Sequence, residues 1–299
     1  MIEITELTKV YPGPVPALRG VTLNIDKGMF GLLGPNGAGK STFMNILAGL
    51  LEPTAGTVKL YGDDVLKKPK LLWEQLGYLP QEFGFYDHLS GRAMLKYLLK
   101  LKGVSGPKGL NQLTSELLEK VNLAFAAKRK VKAYSGGMKQ RLGIAQAIAG
   151  DPKLIIVDEP TAGLDPEERL RFYRLLAELA ADRIVILSTH IVEDVANLCS
   201  RFAVIRDGRI IADTSPSVAK ANIEGTLFEG SVPAEDLEEF QSTHEIARAI
   251  LVEGQNRVRI RVADGQHVPD GFVAVASTLE DAYLLMMNHE SKPQLAGAS

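Results

Sequence analysis

The segment Gly34-Pro-Asn-Gly-Ala-Gly-Lys-Ser41 decides the fold of this 299-residue chain. It has the pattern G-x-x-x-x-G-K-[ST], and it stands between a short apolar run, residues 29–33, and a helix-like segment, residues 41–49. Glycines let the backbone point its N–H groups at a polyphosphate, and the following helix adds the positive end of its dipole. The sequence therefore predicts a phosphate-binding loop in which Lys40 contacts the β- and γ-phosphates and Ser41 coordinates Mg²⁺.

The composition around this loop is that of an ordinary folded protein. The chain has 34 Lys and Arg against 36 Asp and Glu, and 45% of its residues are hydrophobic. A near-neutral charge argues against binding dominated by nucleic acid. The longest stretch without a charged residue, residues 28–39, is 12 residues long, whereas a membrane-spanning helix needs about 18 or more. With one cysteine and no secretory signal at the start, we expect a cytoplasmic chain.

Hydrophobic periodicity predicts an α/β fold. Alternation at residues 2–7 and 21–25 indicates two antiparallel strands at the start of the chain. The apolar runs 154–157 and 184–188, which a helical segment separates, indicate a parallel sheet that is buried on both faces. A change to a period of 3.6 between residues 92 and 127 predicts a helical insertion. The weaker pattern of residues 225–289 predicts a small α/β appendix, and the last ten residues are expected to form a frayed tail.

Two adjacent carboxylates follow one of these buried strands. Leu154-Ile-Ile-Val157 leads directly into Asp158-Glu159-Pro160. In a chain with a phosphate-binding loop, a carboxylate at the end of such a strand can hold Mg²⁺ through water. We therefore expect Asp158 to serve the metal and Glu159 to polarise the attacking water.

A second glycine-containing motif, Tyr134-Ser-Gly-Gly-Met138, stands just before that strand. Ser135 can cap the helix that begins there, while Gly136 and Gly137 leave backbone N–H groups open to a γ-phosphate. With these motifs the chain resembles the ATP-binding subunit of an ABC transporter over about residues 1–214. The commonest family signature has Leu and Gln where this chain has Tyr134 and Met138. Because the Ser-Gly-Gly core is intact, we expect that nucleotide sandwiching is kept.

The resemblance implies roles for further residues. Tyr11 matches the aromatic residue that stacks on adenine, Gln81 matches the glutamine that reaches Mg²⁺ and the attacking water, and His190 matches the histidine that contacts the γ-phosphate. Asp165 belongs to a loop, residues 162–165, that matches one crossing the dimer interface. The predicted catalytic residues are Lys40, Gln81, Glu159 and His190, and the predicted Mg²⁺ ligands are Ser41, Gln81 and Asp158. The predicted nucleotide contacts are Tyr11, Gly34, Pro35, Asn36, Gly37, Ala38, Gly39, Lys40, Ser41, Thr42, Ser135, Gly136, Gly137 and Asp165.

The resemblance also implies an architecture and partners. The fold expected is a P-loop NTPase (RecA-like) core with an N-terminal antiparallel β subdomain and a helical subdomain at about residues 82–133. This ABC ATPase domain would span residues 1–214, followed by an accessory α/β domain at residues 215–299. The expected cofactors are ATP and Mg²⁺. Because the signature lies away from the loop of its own chain, two subunits would pair head to tail, most simply as a homodimer, beneath an integral membrane permease at the inner face of the membrane.

Several alternatives stay open from the sequence. The aromatic residues after Gln81, namely Phe83, Phe85 and Tyr86 together with Leu89, could form a groove for the permease or fill the helical core. The segment Gly77-Tyr-Leu-Pro-Gln81 and the single cassette look most like ABC-2 type exporters. A soluble, non-transport ABC ATPase that acts on nucleic acid or ribosomes is the first competing function. A regulatory binding module at residues 215–299 is the second.

Overall fold

A computed structural model describes residues 1–161, 163–263 and 265–289. The strands are β1 (Ile2–Tyr11), β2 (Val15–Ile25), β3 (Gly28–Leu33), β4 (Ala55–Leu60), β5 (Asp63–Asp64), β6 (Leu76–Leu79), β7 (Leu154–Asp158), β8 (Ile184–Thr189), β9 (Arg201–Arg206), β10 (Arg209–Thr214), β11 (Leu227–Val232), β12 (Glu245–Val252), β13 (Gln255–Arg261) and β14 (Val273–Ala274). The helices are α1 (Lys40–Leu47), α2 (Pro69–Gln75), α3 (Gly91–Leu101), α4 (Leu110–Lys120), α5 (Gly136–Ala147), α6 (Pro166–Ala180), α7 (Val192–Leu198), α8 (Pro216–Ala221), α9 (Leu237–Thr243) and α10 (Leu279–His289).

The chain divides into two compact units, Met1–Ile210 and Ile211–Ser299, and the division falls within β10. The tail predicted for the last ten residues, 290–299, lies outside the described residues. In the part of the chain that the structure describes, no helix has the length and apolar character needed to cross a membrane.

Two sheets organise the first unit. One is antiparallel, in the order β2-β1-β4-β5, as the alternating pattern at the start of the chain predicted. The other contains the parallel strands β9-β3-β8-β7-β6, with β10 at its edge. Strands β7 and β8 are buried at every position, which explains why they appear in the sequence as unbroken apolar runs.

Helix α1 contributes to a core that joins both sheets. The buried residues Phe43, Met44, Ile46 and Leu47 of this helix belong to one cluster with residues from β1, β2, β4 and the parallel strands. Burial of this face fixes the helix, and therefore fixes the loop from which it begins. The sequence pattern predicted this strand, loop and helix, and the structure confirms them.

The predicted helical insertion contains α3 and α4, which pack on each other and on α5. Ser90 caps α3 by accepting a hydrogen bond from the backbone N–H of Ala93. Helix α2, which the sequence analysis missed, is only seven residues long and has an exposed tryptophan, Trp73. So short a segment carries too little periodicity to be recognised from its apolar residues.

The second unit contains a four-stranded sheet in the order β12-β13-β11-β14, together with α8, α9 and α10. Val232, Val258, Ile260 and Val262 form its apolar core. Helix α10 packs on β12 and α8. Its buried Asp281 lies 2.8 Å from a guanidinium nitrogen of Arg259 on β13. This unit is thus α/β, as the pattern of residues 225–289 predicted.

Candidate functional site

The phosphate-binding loop runs from the end of β3 to the start of α1. Its last residue, Gly39, has a φ of 107°, and a Cβ atom there would lie 2.6 Å from the carbonyl oxygen of Ala17. Only glycine is compatible with both constraints. The loop opens on a pocket of about 390 Å³. The pocket is lined by Ala17, Asn36, Gly37, Gly39, Lys40, Ser41, Thr42, Gln81 and Glu159.

Lys40 lies inside this loop rather than in solvent, with 5% of its surface exposed. Its Nζ donates hydrogen bonds to the carbonyl oxygens of Gly34, at 2.8 Å, and Pro35, at 3.1 Å. The same nitrogen is 3.5 Å from Oε1 of Glu159. The only cation of the loop is therefore held between the backbone cradle and the end of β7.

Three of the four predicted catalytic side chains contact the fourth, Glu159. In addition to the contact from Lys40, the side-chain amide of Gln81 donates a hydrogen bond to Oε2 of Glu159 at 3.3 Å, and Nδ1 of His190 lies 3.1 Å from the same oxygen. Gln81 follows β6, Glu159 follows β7 and His190 follows β8, and these strands are adjacent and parallel. Because the carboxyl ends of parallel strands share one edge of the sheet, residues far apart in sequence converge there.

Asp158, the last residue of β7, is buried with 3% exposure. Its Oδ1 and the Oγ of Ser188 have no hydrogen-bond partner. Burial is the main cause that raises the pKa of the Asp158 carboxyl above its ordinary value, and the charge of Glu159 adds to it, whereas the nearby Ser188 hydroxyl and the charge of Lys40 oppose the rise. An ionised carboxylate is costly to bury without a partner, so its position suits a cation or a coordinated water. The donor set at this edge, a carboxylate and the Ser41 hydroxyl, fits a hard oxygen-binding ion such as Mg²⁺.

Tyr11 lies near α1, the helix that follows the phosphate-binding loop, and is 38% exposed. Its hydroxyl is 3.4 Å from the hydroxyl oxygen of Thr42, and Nζ of Lys9 lies 5.4 Å from its ring centroid. An aromatic surface is thus available beside the loop, with a cation nearby.

The signature residues lie outside the pocket. Ser135 caps α5, because its Oγ accepts a hydrogen bond from the N–H of Met138 at 3.2 Å. A Cβ added to Gly136 would have no atom closer than 4.0 Å, so this part of the helix start is open. Neither of these residues, nor Gly137, lines the 390 Å³ pocket. In one chain the structure therefore does not bring the signature to the phosphate-binding loop.

The departures from the commonest signature have a structural explanation. Tyr134 is 6% exposed and donates a hydrogen bond from its hydroxyl to the carbonyl oxygen of Ala126 at 3.0 Å. Met138 is 7% exposed. Both side chains are therefore packed within the protein, as is Gly137, and the exposed residues of the motif are Ser135 and Gly136.

Asp165 is placed at the start of α6. Its Oδ1 accepts a hydrogen bond from the backbone N–H of Glu168 at 2.8 Å, which makes it the N-cap. The first residue of the predicted interface loop, Ala162, lies outside the described residues. Asp165 does not line the pocket of its own chain.

Sequence reasoning missed an ion pair that links the signature helix to α6. The guanidinium of Arg141, which is 6% exposed, lies 3.1 Å from Oε2 of Glu168, and its Nε donates to the carbonyl oxygen of Gly137 at 3.4 Å. The spacing of Asp165 and Glu168 is that of a helix-capping pair. That spacing could have pointed to Glu168, although its carboxylate binds Arg141 instead.

Asp194, on α7, was also missed. It is completely buried and accepts hydrogen bonds from the hydroxyls of Thr161, Thr189 and Tyr173. In sequence it looks like an ordinary acidic residue in the first turn of a helix. Only the tertiary structure shows that it lies beneath the edge of the sheet where the predicted catalytic residues converge.

We predict that Asp158→Asn stabilises the nucleotide-free protein. The substitution removes a buried charge whose Oδ1 accepts no hydrogen bond and whose cost of burial exceeds its attraction to Lys40, so the free energy of unfolding should rise by about 1 kcal/mol. Thermal unfolding in the presence of a metal chelator measures this. The exposed Asp26→Asn is the matched control and should change nothing. A lower stability of Asp158→Asn than of the wild type would show that the carboxylate is satisfied within the protein.

Comparison with known proteins gives a consistent family assignment. The ABC transporter family matches residues 18–162. An uncharacterized ABC transporter ATP-binding protein of Bacillus subtilis, YxlF, is 39% identical over 211 residues, which are 70% of this chain and 69% of that protein. ABC transporter A family member 7 of Arabidopsis thaliana is 37% identical over 75% of this chain. The chain spans about a quarter of the length of the Arabidopsis relatives that it matches.

Solved structures agree in fold. The cassette MJ0796, in a dimeric post-hydrolysis state bound to ADP and Pi, is 28% identical with a TM-score of 0.64, covering 72% of this chain and 98% of that one. The protein cbiO1 of Clostridium perfringens, part of the ABC transporter complex cbiONQ, is 26% identical with a TM-score of 0.67, covering 74% and 90%. On the strength of these matches, the chain belongs to the ABC transporter ATP-binding family and carries its ATPase domain.

Proposed function

We propose that this chain is the ATP-hydrolysing subunit that energises transport through a separate membrane permease, and that Lys40, Gln81, Glu159 and His190 are its catalytic residues. The observation that carries the proposal is the convergence of Lys40, Gln81 and His190 on Glu159 beside the phosphate-binding loop. Such a constellation has a nucleophile-activating carboxylate, a cation for phosphate charge and two side chains that can orient water or phosphate.

Each residue would contribute a particular group to the reaction. Lys40 would exchange its hydrogen bonds to the loop carbonyls for hydrogen bonds to phosphate oxygens. Glu159 would accept a hydrogen bond from the attacking water at the oxygen that Gln81 and His190 now contact, and these two side chains hold its carboxylate in place. Ser41, Gln81 and Asp158 would hold Mg²⁺, which when bound neutralises phosphate charge. Tyr11 would present its ring to the adenine, whose recognition by stacking needs no particular hydrogen bond.

The site of one chain is incomplete, so we propose a head-to-tail homodimer. Ser135, Gly136 and Gly137 do not line the pocket of their own chain, yet the open start of α5 is suited to bind an anion. A second copy would bring this helix end to the γ-phosphate, and the loop containing Asp165 would lie at the interface. The dimeric form of the similar cassette MJ0796 supports this arrangement. ATP would hold the two copies together, and hydrolysis would release them.

We expect Glu159→Gln to bind ATP and form a dimer that does not turn over. The amide keeps the size of the side chain but cannot polarise water, so hydrolysis should fall about a hundredfold or more. Gel filtration with MgATP should show a dimer for this variant. The matched control is Lys40→Ala, which loses the phosphate contact and should remain monomeric and inactive. A monomer for Glu159→Gln under these conditions would count against ATP as the link between subunits.

The permease would dock on the segment that follows Gln81. Phe83 and Phe85 pack on each other with ring centroids 5.1 Å apart, and Tyr86 lies 5.5 Å from the ring of Tyr97. None of Phe83, Phe85, Tyr86 and Leu89 is buried, and Tyr86 is 52% exposed. A side chain that filled the helical core would be buried, so their exposure favours a docking surface. The similarity to A family transporters supports an ABC-2 type exporter at the inner face of the membrane.

Affinity purification from detergent-solubilised membranes tests the transport proposal. We expect a single integral membrane protein to copurify with the wild type, and less of it with a Tyr86→Ser variant that reduces the exposed aromatic surface. A matched change elsewhere, Tyr61→Ser, removes a ring that is 42% exposed and should leave capture unchanged. Recovery of ribosomal or DNA-associated partners alone would instead support a non-transport ATPase.

A further inference from the structure

We propose that Asp194 is a positioning residue that sets the geometry between Glu159 and His190 from beneath the site. This inference rests on the proposed function, because it gives Asp194 a role in the same hydrolytic reaction. Asp194 lies on α7 and has no exposed surface. A fully buried carboxylate is rare unless its oxygens are satisfied, so its partners reveal what it holds.

The partners come from the two segments that carry the catalytic residues. Oδ2 of Asp194 accepts a hydrogen bond from the hydroxyl of Thr161 at 2.6 Å and from that of Thr189 at 2.9 Å. Thr161 stands two residues after Glu159, and Thr189 stands directly before His190. One carboxylate oxygen therefore ties together the two loops that follow β7 and β8.

These contacts close a ring. Two residues after Glu159, the hydroxyl of Thr161 donates a hydrogen bond to Asp194, and the hydroxyl of Thr189 donates to the same carboxylate. His190, which follows Thr189, contacts Glu159 at 3.1 Å and so closes the ring. A backbone hydrogen bond next to His190 strengthens the ring. The hydroxyl of Thr189 also accepts a hydrogen bond from the N–H of Ile191 at 2.9 Å, so it fixes the turn on either side of the histidine.

Glu159 needs such support because its backbone is strained. Its φ is 45°, which is unfavourable for a residue with a side chain, and its N–H donates to the carbonyl oxygen of Ser188 at 2.9 Å. A conformation of this kind persists only when the surrounding structure imposes it. The ring through Asp194 holds the segment immediately after Glu159 and thereby helps to impose it.

The remaining oxygen of Asp194 anchors the ring to the rest of the domain. Oδ1 accepts a hydrogen bond from the hydroxyl of Tyr173 on α6 and lies 3.6 Å from Nε of Arg169. Burial, together with the hydrogen bond to Asp194, raises the pKa of the Tyr173 hydroxyl, which keeps it protonated as a donor. Because α6 begins at the interface loop, the carboxylate also connects the catalytic edge with the helix that follows Asp165.

The test separates positioning from folding. In Asp194→Asn and in Thr189→Val we expect kcat for ATP hydrolysis to fall at least about tenfold, since displacement of a catalytic group by about 1 Å costs on the order of a hundredfold. The KM for ATP and nucleotide binding should stay within about twofold, because the phosphate-binding loop is untouched. Thr189→Val keeps the shape of the side chain, so it serves if Asp194→Asn does not fold.

The control is Leu118→Ala, a buried change in α4 that lies outside the cluster around α1. It should lower the melting temperature without lowering kcat. Wild-type kcat in both Asp194→Asn and Thr189→Val would overturn the inference, and so would a loss of kcat in Leu118→Ala that parallels its loss of stability. If Lys40→Ala hydrolyses ATP like the wild type, the proposed function itself fails, whereas an inactive Lys40→Ala beside a fully active Asp194→Asn refutes only the role of Asp194.

Discussion

The contact between the Lys40 ammonium and the Glu159 carboxylate, at 3.5 Å, joins the loop after β3 to the end of β7, and the rest of the site is arranged around it. Both groups are nearly buried, so each would be costly without the other. The parallel sheet makes this pairing possible because it ends its strands along one edge. The cluster that buries α1 then keeps the lysine where the carboxylate can meet it. The packing of the core therefore also determines where the predicted catalytic groups lie in this domain.

A second feature of the site is that the signature residues do not line the pocket of their own chain. The open start of α5 does not line the pocket, while Tyr134 and Met138 are packed inside and leave only small residues at the surface. Asp158 adds a buried oxygen without a partner. These features leave polar groups at the site that water, a nucleotide, an ion or a second subunit can satisfy. Polar groups without partners lower the stability of the nucleotide-free protein, and a ligand that supplies partners would favour the ATP-bound dimer that we propose.

The sequence predicted the parts of this account that depend on local pattern. Gly34 to Ser41 specified the strand, loop and helix, and the apolar run before Asp158 specified the buried strand. Gln81 and His190 carry no such signal, and only the family resemblance suggested that they approach Glu159. Asp194 was not found at all, because its burial depends on Tyr173 and Thr161, which are distant in sequence.

The central claim is that each nucleotide site is shared by two chains, and a mixing experiment tests it most directly. Lys40→Ala removes the phosphate-binding function, and Ser135→Arg blocks the signature, so each variant alone should be inactive. In an equal mixture, only a mixed dimer has a complete site whose ATP can link the two chains, so mixing should restore ATP hydrolysis to at most about half of the wild-type rate, because one site of the two is intact. Mixed dimers that form but remain inactive, or a Ser135→Arg protein that hydrolyses ATP at the wild-type rate, would contradict the claim.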